Sequence, residues 1–214
     1  MSGKIEIHTE ILSDSQINLL SQLSKVLLDT DYYLAGGTAL TLRIGHRLSK
    51  DFDWFAARIG DPEELFKRLK ASDISFSIVS TAFETIYLNI NSTQVSFIGY
   101  DYPLLESTGI ASSKFPFRIA GLDDIACMKL SAIASRGARK DFVDLHFLIT
   151  EFRSLEEYLM LYKKKFENRD IGHVIRSLVY FADAESEPEL RIIKPFDWNK
   201  MKADFEDWIK KINI

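Results

Sequence analysis

The chain has 214 residues, 46% hydrophobic and 27% charged, enough for one globular unit or a core with an extension. Its net charge of -4 at pH 7 gives no global attraction to nucleic acid, so an RNA or DNA partner needs a local basic patch. A single cysteine, Cys127, excludes an internal disulfide; no apolar run approaches the roughly 18 residues of a membrane span, and no charged-then-apolar leader opens the chain, which together fit a cytoplasmic protein.

The first helix is expected over residues 13–28, opened by a capping box of Ser13 and Gln16, with Ile17, Leu20, Leu23 and Leu27 on one face. A short apolar strand, 32–35, runs into Gly36-Gly37, and a short helix follows over 38–47 with Leu40, Leu42 and Ile44 mostly inward. A second strand covers 52–56. Asp61, Pro62 and Glu64 give an N-cap, a first-turn proline and an acidic first turn, so another helix starts there with Leu65, Phe66 and Leu69 inward. Alternation then predicts strands at 74–78, 86–90 and 95–99, the last two joined by the polar turn Asn91-Ser92-Thr93, and one more short strand over 114–119.

From Gly121 the period is helical. A helix opens at Asp123 or Asp124 and stops at Gly137; others follow over 141–152, after the Ser154–Glu157 capping box, over 170–181 and over 199–209. The fold class is therefore α+β: an α/β core over residues 1–112 and a C-terminal helical region over 113–214. No linker-like composition separates them, so the two halves are expected to pack together.

Two features carry chemistry. Gly36-Gly37 sits between a strand and a helix, where a backbone without Cβ atoms comes close to a ligand and N–H groups face an anion. Thr38 either caps that helix or bonds a phosphate; the plain alternative is a tight turn. Asp51 and Asp53, two apart, share a strand face while Phe52 and Trp54 turn to the core. Neighbouring carboxylates repel unless a cation or arginines lie between them, and hard oxygens suit Mg²⁺ together with phosphate. Arg43, His46, Arg47 and Lys50 lie between turn and acids; Arg47 pairs with phosphate or braces Asp51, and Arg43, four residues earlier, shares its helix face. Farther on, Lys129, Ile133 and Arg136 share a helix face, and Asp141 and Asp144 share the first turn of the next helix, which also reads as a capped helix with solvated lysines. The run Lys163-Lys164-Lys165 reads as a solvated face, with an RNA backbone as the alternative.

Gly36-Gly37-Thr38-Ala39-Leu40, His46-Arg47-Leu48-Ser49 and Asp51-Phe52-Asp53 together resemble the first motif of the AbiEii/AbiGii-type nucleotidyltransferases, within the DNA-polymerase-beta-like superfamily. Residues 136–145, with Lys140-Asp141 and Asp144-Leu145, resemble that family's later Lys/Asp helical motif, and 179–190 resembles a stretch of its smaller members. The resemblance implies a mixed β-sheet flanked by helices, followed by a helical region. It implies transfer of a nucleoside monophosphate from an NTP to an acceptor hydroxyl, on tRNA or protein, with release of pyrophosphate. It also implies Mg²⁺ on Asp51 and Asp53, nucleotide contacts from Gly36, Gly37, Thr38, Arg47, Ser49 and Lys129, and catalytic roles for Lys140 and for Asp141 as the base. Family members include toxins of toxin–antitoxin systems, so an antitoxin protein is an expected partner, and no membrane is. One position departs from the pattern: the superfamily's third carboxylate, on a neighbouring strand, corresponds here to Ser96, with Asp101 beyond the strand end. That departure keeps open a second reading, a nucleotide-binding or interaction module with weak or no turnover.

Overall fold

The structure, a computed structural model, describes residues 5, 7–111, 115–168 and 170–212. A short 3-10 turn, Thr9–Ile11, precedes helix α1, Asp14–Val26. Ser13 caps α1: its hydroxyl accepts from the Gln16 N–H while the Gln16 side chain accepts from the Ser13 N–H, the expected reciprocal box. Leu19, Leu20 and Leu23 are the buried stripe. Strand β1, Tyr33–Ala35, passes directly into α2, Gly36–Ile44, and β2, Phe52–Ala56, follows. Helix α3, Pro62–Ala71, starts as expected, with the Asp61 side chain accepting from the Glu63 N–H and proline in the first turn.

Strands β3 (Ser77–Ala82), β4 (Thr85–Ile90), β5 (Thr93–Gly99), β6 (Gly109–Ile110) and β7 (Arg118–Ile119) complete a seven-stranded mixed sheet in the order β3-β4-β5-β2-β1-β7-β6. β1 runs antiparallel to β2 and parallel to β7, and β2 runs parallel to β5. One sheet face is largely apolar: Leu34, Phe52, Trp54, Ile86, Leu88, Val95 and Phe97 are all fully buried. The other face carries Asp53, Phe55, Ser96 and Tyr87.

Two strands differ from expectation. The third strand is Ser77–Ala82, not 74–78, because Ile74 is buried and Phe76 packs its ring 5.2 Å from Phe66, leaving the pairing with β4 to begin at Ser77. Every residue of β3 is exposed, so it has no half-buried alternation to read. The strand expected over 114–119 is confined to Arg118–Ile119, where it pairs with β1 and with β6; Lys114 lies outside the described residues.

The chain divides into two compact units, the first comprising residues 1–102 and 107–120, the second 103–106 and 121–214. The sequence division was drawn at 112/113, ahead of β7; pairing with β1 keeps β7 with the sheet. In the second unit α4, Leu122–Arg136, lies against α5 (Arg139–Glu151), α6 (Leu155–Phe166) and α7 (Gly172–Ser177). α5 also contacts α8, Ala182–Ser186, and α9, Trp198–Lys211. Gly137 ends α4 in the left-handed conformation at φ 57°, and Ser154 with Glu157 caps α6. The helix expected over 170–181 is the shorter α7, which ends at Ser177; Phe181, the N-cap of α8, packs its ring on Phe142, at 5.0 Å, and Phe205, at 6.4 Å.

The lysine run is not one solvated face. Lys164 is exposed, but Lys165 is only 1% exposed and its ammonium lies 2.6 Å from the buried Asp124 carboxylate. Lys165 also donates to the Pro103 carbonyl at 2.8 Å, and Asp124 accepts from the Leu105 and Glu106 N–H groups at 3.0 and 3.2 Å. This clamp binds residues 103–106 into the helical unit. Removing one partner of a buried ion pair leaves an uncompensated charge. Lys165→Met is expected to lower unfolding free energy by about 3–5 kcal/mol in a denaturant titration, against less than about 0.5 for Lys164→Ala; equal midpoints for the two variants would disprove the clamp.

Candidate active site

The glycine turn and the acid pair meet in the first unit. β1 and β2 pair Ala35 with Asp53, which brings the residue after Ala35 beside the Asp53 side chain. A Cβ built on Gly36 would stand 3.0 Å from Asp53 Oδ2, a tight approach, and Gly36 has φ 70°, a left-handed conformation that favours glycine. At Gly37 a Cβ would stand 2.7 Å from Arg47 Nη2 and 3.2 Å from Ser49 Oγ. The bend is therefore walled by a carboxylate, a guanidinium and a hydroxyl rather than by apolar side chains.

Hydrogen bonds within the connection hold it in place. Thr38 is fully buried; its hydroxyl donates to the Asp51 carbonyl and lies 2.8 Å from the Ser49 hydroxyl. The helix N-cap is Ala35, without a side-chain cap, so Thr38 ties the acid-bearing segment to α2 instead of capping it. The Thr41 hydroxyl donates to the Arg47 carbonyl at 3.2 Å, and Arg47, 3% exposed, donates to the Leu48 carbonyl at 2.9 Å. From α1, the Gln16 amide donates to the carbonyls of Ser49 and Lys50 at 3.1 and 3.2 Å. Sequence reading assigned Gln16 only to its capping box; the second role has no local signal, since its partners lie 33 and 34 residues away.

The expected shared helix face of Arg43 and Arg47 does not form. Gly45 at φ 65° ends α2 after Ile44, leaving Arg47 outside the helix, while Arg43 donates to the Ala120 carbonyl at 3.1 Å. His46 is fully buried. Of the acids, Asp53 lies within β2 and Asp51 just before it; both are half-buried, and Phe52 and Trp54 fill the opposite face as expected. Ser96 stands directly opposite Asp53 in the parallel pairing of β2 and β5. Asp101 is drawn away to Arg58 at 3.0 Å on the surface.

The later polar residues gather in the second unit. Lys129 lies 2.8 Å from Asp141 and 2.6 Å from Asp144, both carboxylates fully buried, and Arg136 forks onto Asp141 at 2.8 and 3.1 Å. The shared helix face of Lys129 and Arg136 is thus real, but Lys129 is buried, which overturns the solvated-lysine alternative. Lys140 is half-buried. The start of α5 is held from the 179–190 stretch: Arg139 donates its N–H to Glu187 at 2.9 Å and its side chain to the Ala184 carbonyl at 3.1 Å, and lies 4.4 Å over the Trp198 ring.

Burial alone would raise the Asp141 pKa, but the Lys129 charge, followed by the hydrogen bonds and charge of Arg136, outweighs it and holds the carboxyl below its ordinary range. In the structure Asp141 is an ion-paired anion that joins α4 to α5. Because its folded pKa is depressed, Asp141 stabilises the fold above the unfolded carboxylate pKa, and that stability is lost as pH falls through the folded value. Asp141→Asn is expected to lose about 3 kcal/mol at pH 7, with Asp144 still holding Lys129. The gap to wild type should narrow below about pH 4. Acid titrations of melting temperature check this; a gap constant from pH 7 to pH 2 would refute it.

Comparison with known proteins gives this geometry a family. A protein of Aquifex aeolicus (strain VF5), called "Uncharacterized protein aq_aa25", is 38% identical over 208 residues, covering 94% of this chain and 97% of that one. A crystal structure of a nucleotidyltransferase described as putative, from H. pylori, superposes with a TM-score of 0.58 at 21% identity, over 93% of this chain and 95% of that one. MenT4, a nucleotidyltransferase toxin from Mycobacterium tuberculosis H37Rv, gives 0.59 at 14% identity, over 91% and 84%. At these identities the two structures establish the fold. The family described as "Nucleotidyl transferase AbiEii toxin, Type IV TA system" matches residues 18–72 and 73–211. With its mixed sheet, its glycine turn against a strand-borne aspartate and that match along almost its whole length, the chain belongs to the AbiEii nucleotidyltransferase toxin family.

Proposed function

We propose that this protein transfers a nucleoside monophosphate from an NTP to an acceptor hydroxyl, on an RNA such as tRNA or on a protein, in a reaction that depends on a divalent cation. The observation that carries the proposal is the closeness of Gly36 to Asp53, whose carboxylate oxygen lies 3.0 Å from where a Gly36 Cβ would stand, so that a backbone able to face phosphate lies near a hard anionic oxygen.

The donor set fits Mg²⁺. Two carboxylates two residues apart are a common protein contribution to that ion, which takes its other ligands from phosphate oxygens and water. Asp51 and Asp53 would hold it. When bound, it neutralises charge on the triphosphate and polarises the α-phosphate. The protein's own part is positioning. The N-terminal turn of α2 offers backbone N–H groups and the positive end of the helix dipole to the phosphates. Arg47 and Ser49, packed on Gly37, keep the turn rigid, and the Thr38 tie fixes Asp51 relative to α2. The acceptor oxygen forms a bond to the α-phosphorus while the bond from that phosphorus to the bridging oxygen breaks, and pyrophosphate leaves with the electron pair. The acceptor proton passes to solvent, consistent with a transfer governed by placement and electrostatics rather than by a strong base.

A role as a toxin restrained by an antitoxin protein accords with the family to which the chain belongs. Among the described residues no helix is long and apolar enough to cross a membrane.

A second reading has its own observation. Ser96 stands opposite Asp53 where a third acid would add charge, which favours a protein that binds nucleotide with little turnover. Mg²⁺-dependent NTP binding measured by calorimetry, set against pyrophosphate release with bulk tRNA, separates the two: binding without release supports the second.

Asp53→Ala is expected to lower transfer of label from an α-³²P NTP to acceptor by at least about 10²–10³, in protein whose circular dichroism shows that it is folded. It is also expected to relieve any growth arrest caused by expressing the wild-type chain. Labelling by the variant at the wild-type rate would disprove the site.

A further inference from the structure

Ser96 is 1% exposed, and its hydroxyl oxygen meets no hydrogen-bond partner among the described residues. Buried hydroxyls ordinarily find a partner, because one without a partner loses its hydrogen bonds to water and gains nothing in return. Valine or alanine would fill a strand interior at no such cost.

The place of this hydroxyl is specific. β5 pairs parallel with β2, Asp53 opposite Ser96, and antiparallel with β4, Tyr87 opposite Ser96. Residues directly opposite on neighbouring strands share a face and stand about 5 Å apart. Ser96 is therefore the side chain beside Asp53 on the face that Gly36 approaches. The residues one step along β5, Val95 and Phe97, are fully buried on the opposite face and account for the core packing there.

We propose that Ser96 is a positioning residue of the nucleotide site: its hydroxyl makes its hydrogen bond only when a hydrated divalent cation with its NTP is bound at Asp53, and it does so in place of a charged ligand. This rests on the nucleotide-site reading above. The site then draws its protein charge from Asp51 and Asp53, and the neutral Ser96 fixes the orientation of the bound group. Two consequences follow from chemistry. Removing the hydroxyl costs the resting protein nothing, because no internal bond is lost. Replacing it with a carboxylate adds negative charge where the cation sits.

The test is calorimetric titration of the full chain with Mg²⁺ and a non-hydrolysable NTP analogue, paired with melting curves, for wild type, Ser96→Ala and Ser96→Asp. Ser96→Ala is expected to melt at or above the wild-type temperature and to bind the Mg²⁺–analogue about tenfold more weakly, the size of one hydrogen bond to a charged group. Ser96→Asp is expected to bind Mg²⁺ at least about tenfold more tightly through its added charge; should its carboxylate prevent folding, the alanine variant decides. A Ser96→Ala protein that binds like wild type, or that melts several degrees lower, overturns the assignment. If the wild type itself shows no Mg²⁺-dependent binding, the nucleotide site falls and this role with it; wild-type binding with an unchanged alanine variant removes Ser96 alone.

Discussion

The first unit is organised around one close approach: a backbone without a side chain, at Gly36, held against the carboxylate of Asp53. The approach is a product of strand pairing. Ala35 opposite Asp53 puts the first residue of α2 beside the acid, and the left-handed φ of Gly36 turns the chain from strand to helix without a spacer. A side chain there would crowd the carboxylate oxygen and hold the backbone in a left-handed conformation that L residues rarely adopt. The neighbouring interactions hold this junction: Thr38 on the Asp51 carbonyl, Arg47 and Ser49 over Gly37, and Gln16 on the Ser49 and Lys50 carbonyls.

The sheet divides its labour between two faces. The apolar face buries Trp54, Phe52, Phe97, Leu88 and Ile86 and supplies the hydrophobic stabilisation. The other face begins with Asp53, Ser96 and Tyr87 and continues one pleat along to Phe55, whose ring stacks on Tyr33 at 6.0 Å and meets Tyr100 at 5.7 Å. Asp53 and Ser96 thus share this face with the rings of Tyr87 and Phe55. In the second unit, charge is used for structure. Lys129 with Asp141 and Asp144, and Lys165 with Asp124, are buried pairs; each sits where helices or segments must meet in one geometry. Such pairs contribute little net stability compared with apolar packing but penalise alternative arrangements, because any misfit leaves a buried charge alone.

Much of this was readable along the chain because the signals are local. Both capping boxes, the proline start of α3, the glycine stop at Gly137, and the bounds of β2 each depend on residues within a few positions of one another, whereas the stop at Gly45 was not read and the helix was expected to run on to residue 47. The glycine turn and the acid pair were legible for the same reason, since they lie within one short stretch. What failed to read locally was set by distant partners. β3 has no alternation because it lies at the sheet edge with every residue exposed. Residues 103–106 leave the first unit because Asp124 and Lys165 bind them. The end of α7 at Ser177 lies next to Phe181, whose ring partner Phe142 is far away along the chain.

The amino-acid sequence by itself determined that an anion-ready turn and two carboxylates occur close together, because backbone freedom and charge repulsion are properties of residue type and spacing. Only the tertiary structure decided which carboxylate the turn touches, since strand register, set by apolar side chains packing on the far face, selects Asp53. It alone decided that Lys129, Lys165 and Asp141 are buried and ion-paired rather than solvated, because burial and ion pairing depend on helices brought together from distant parts of the chain.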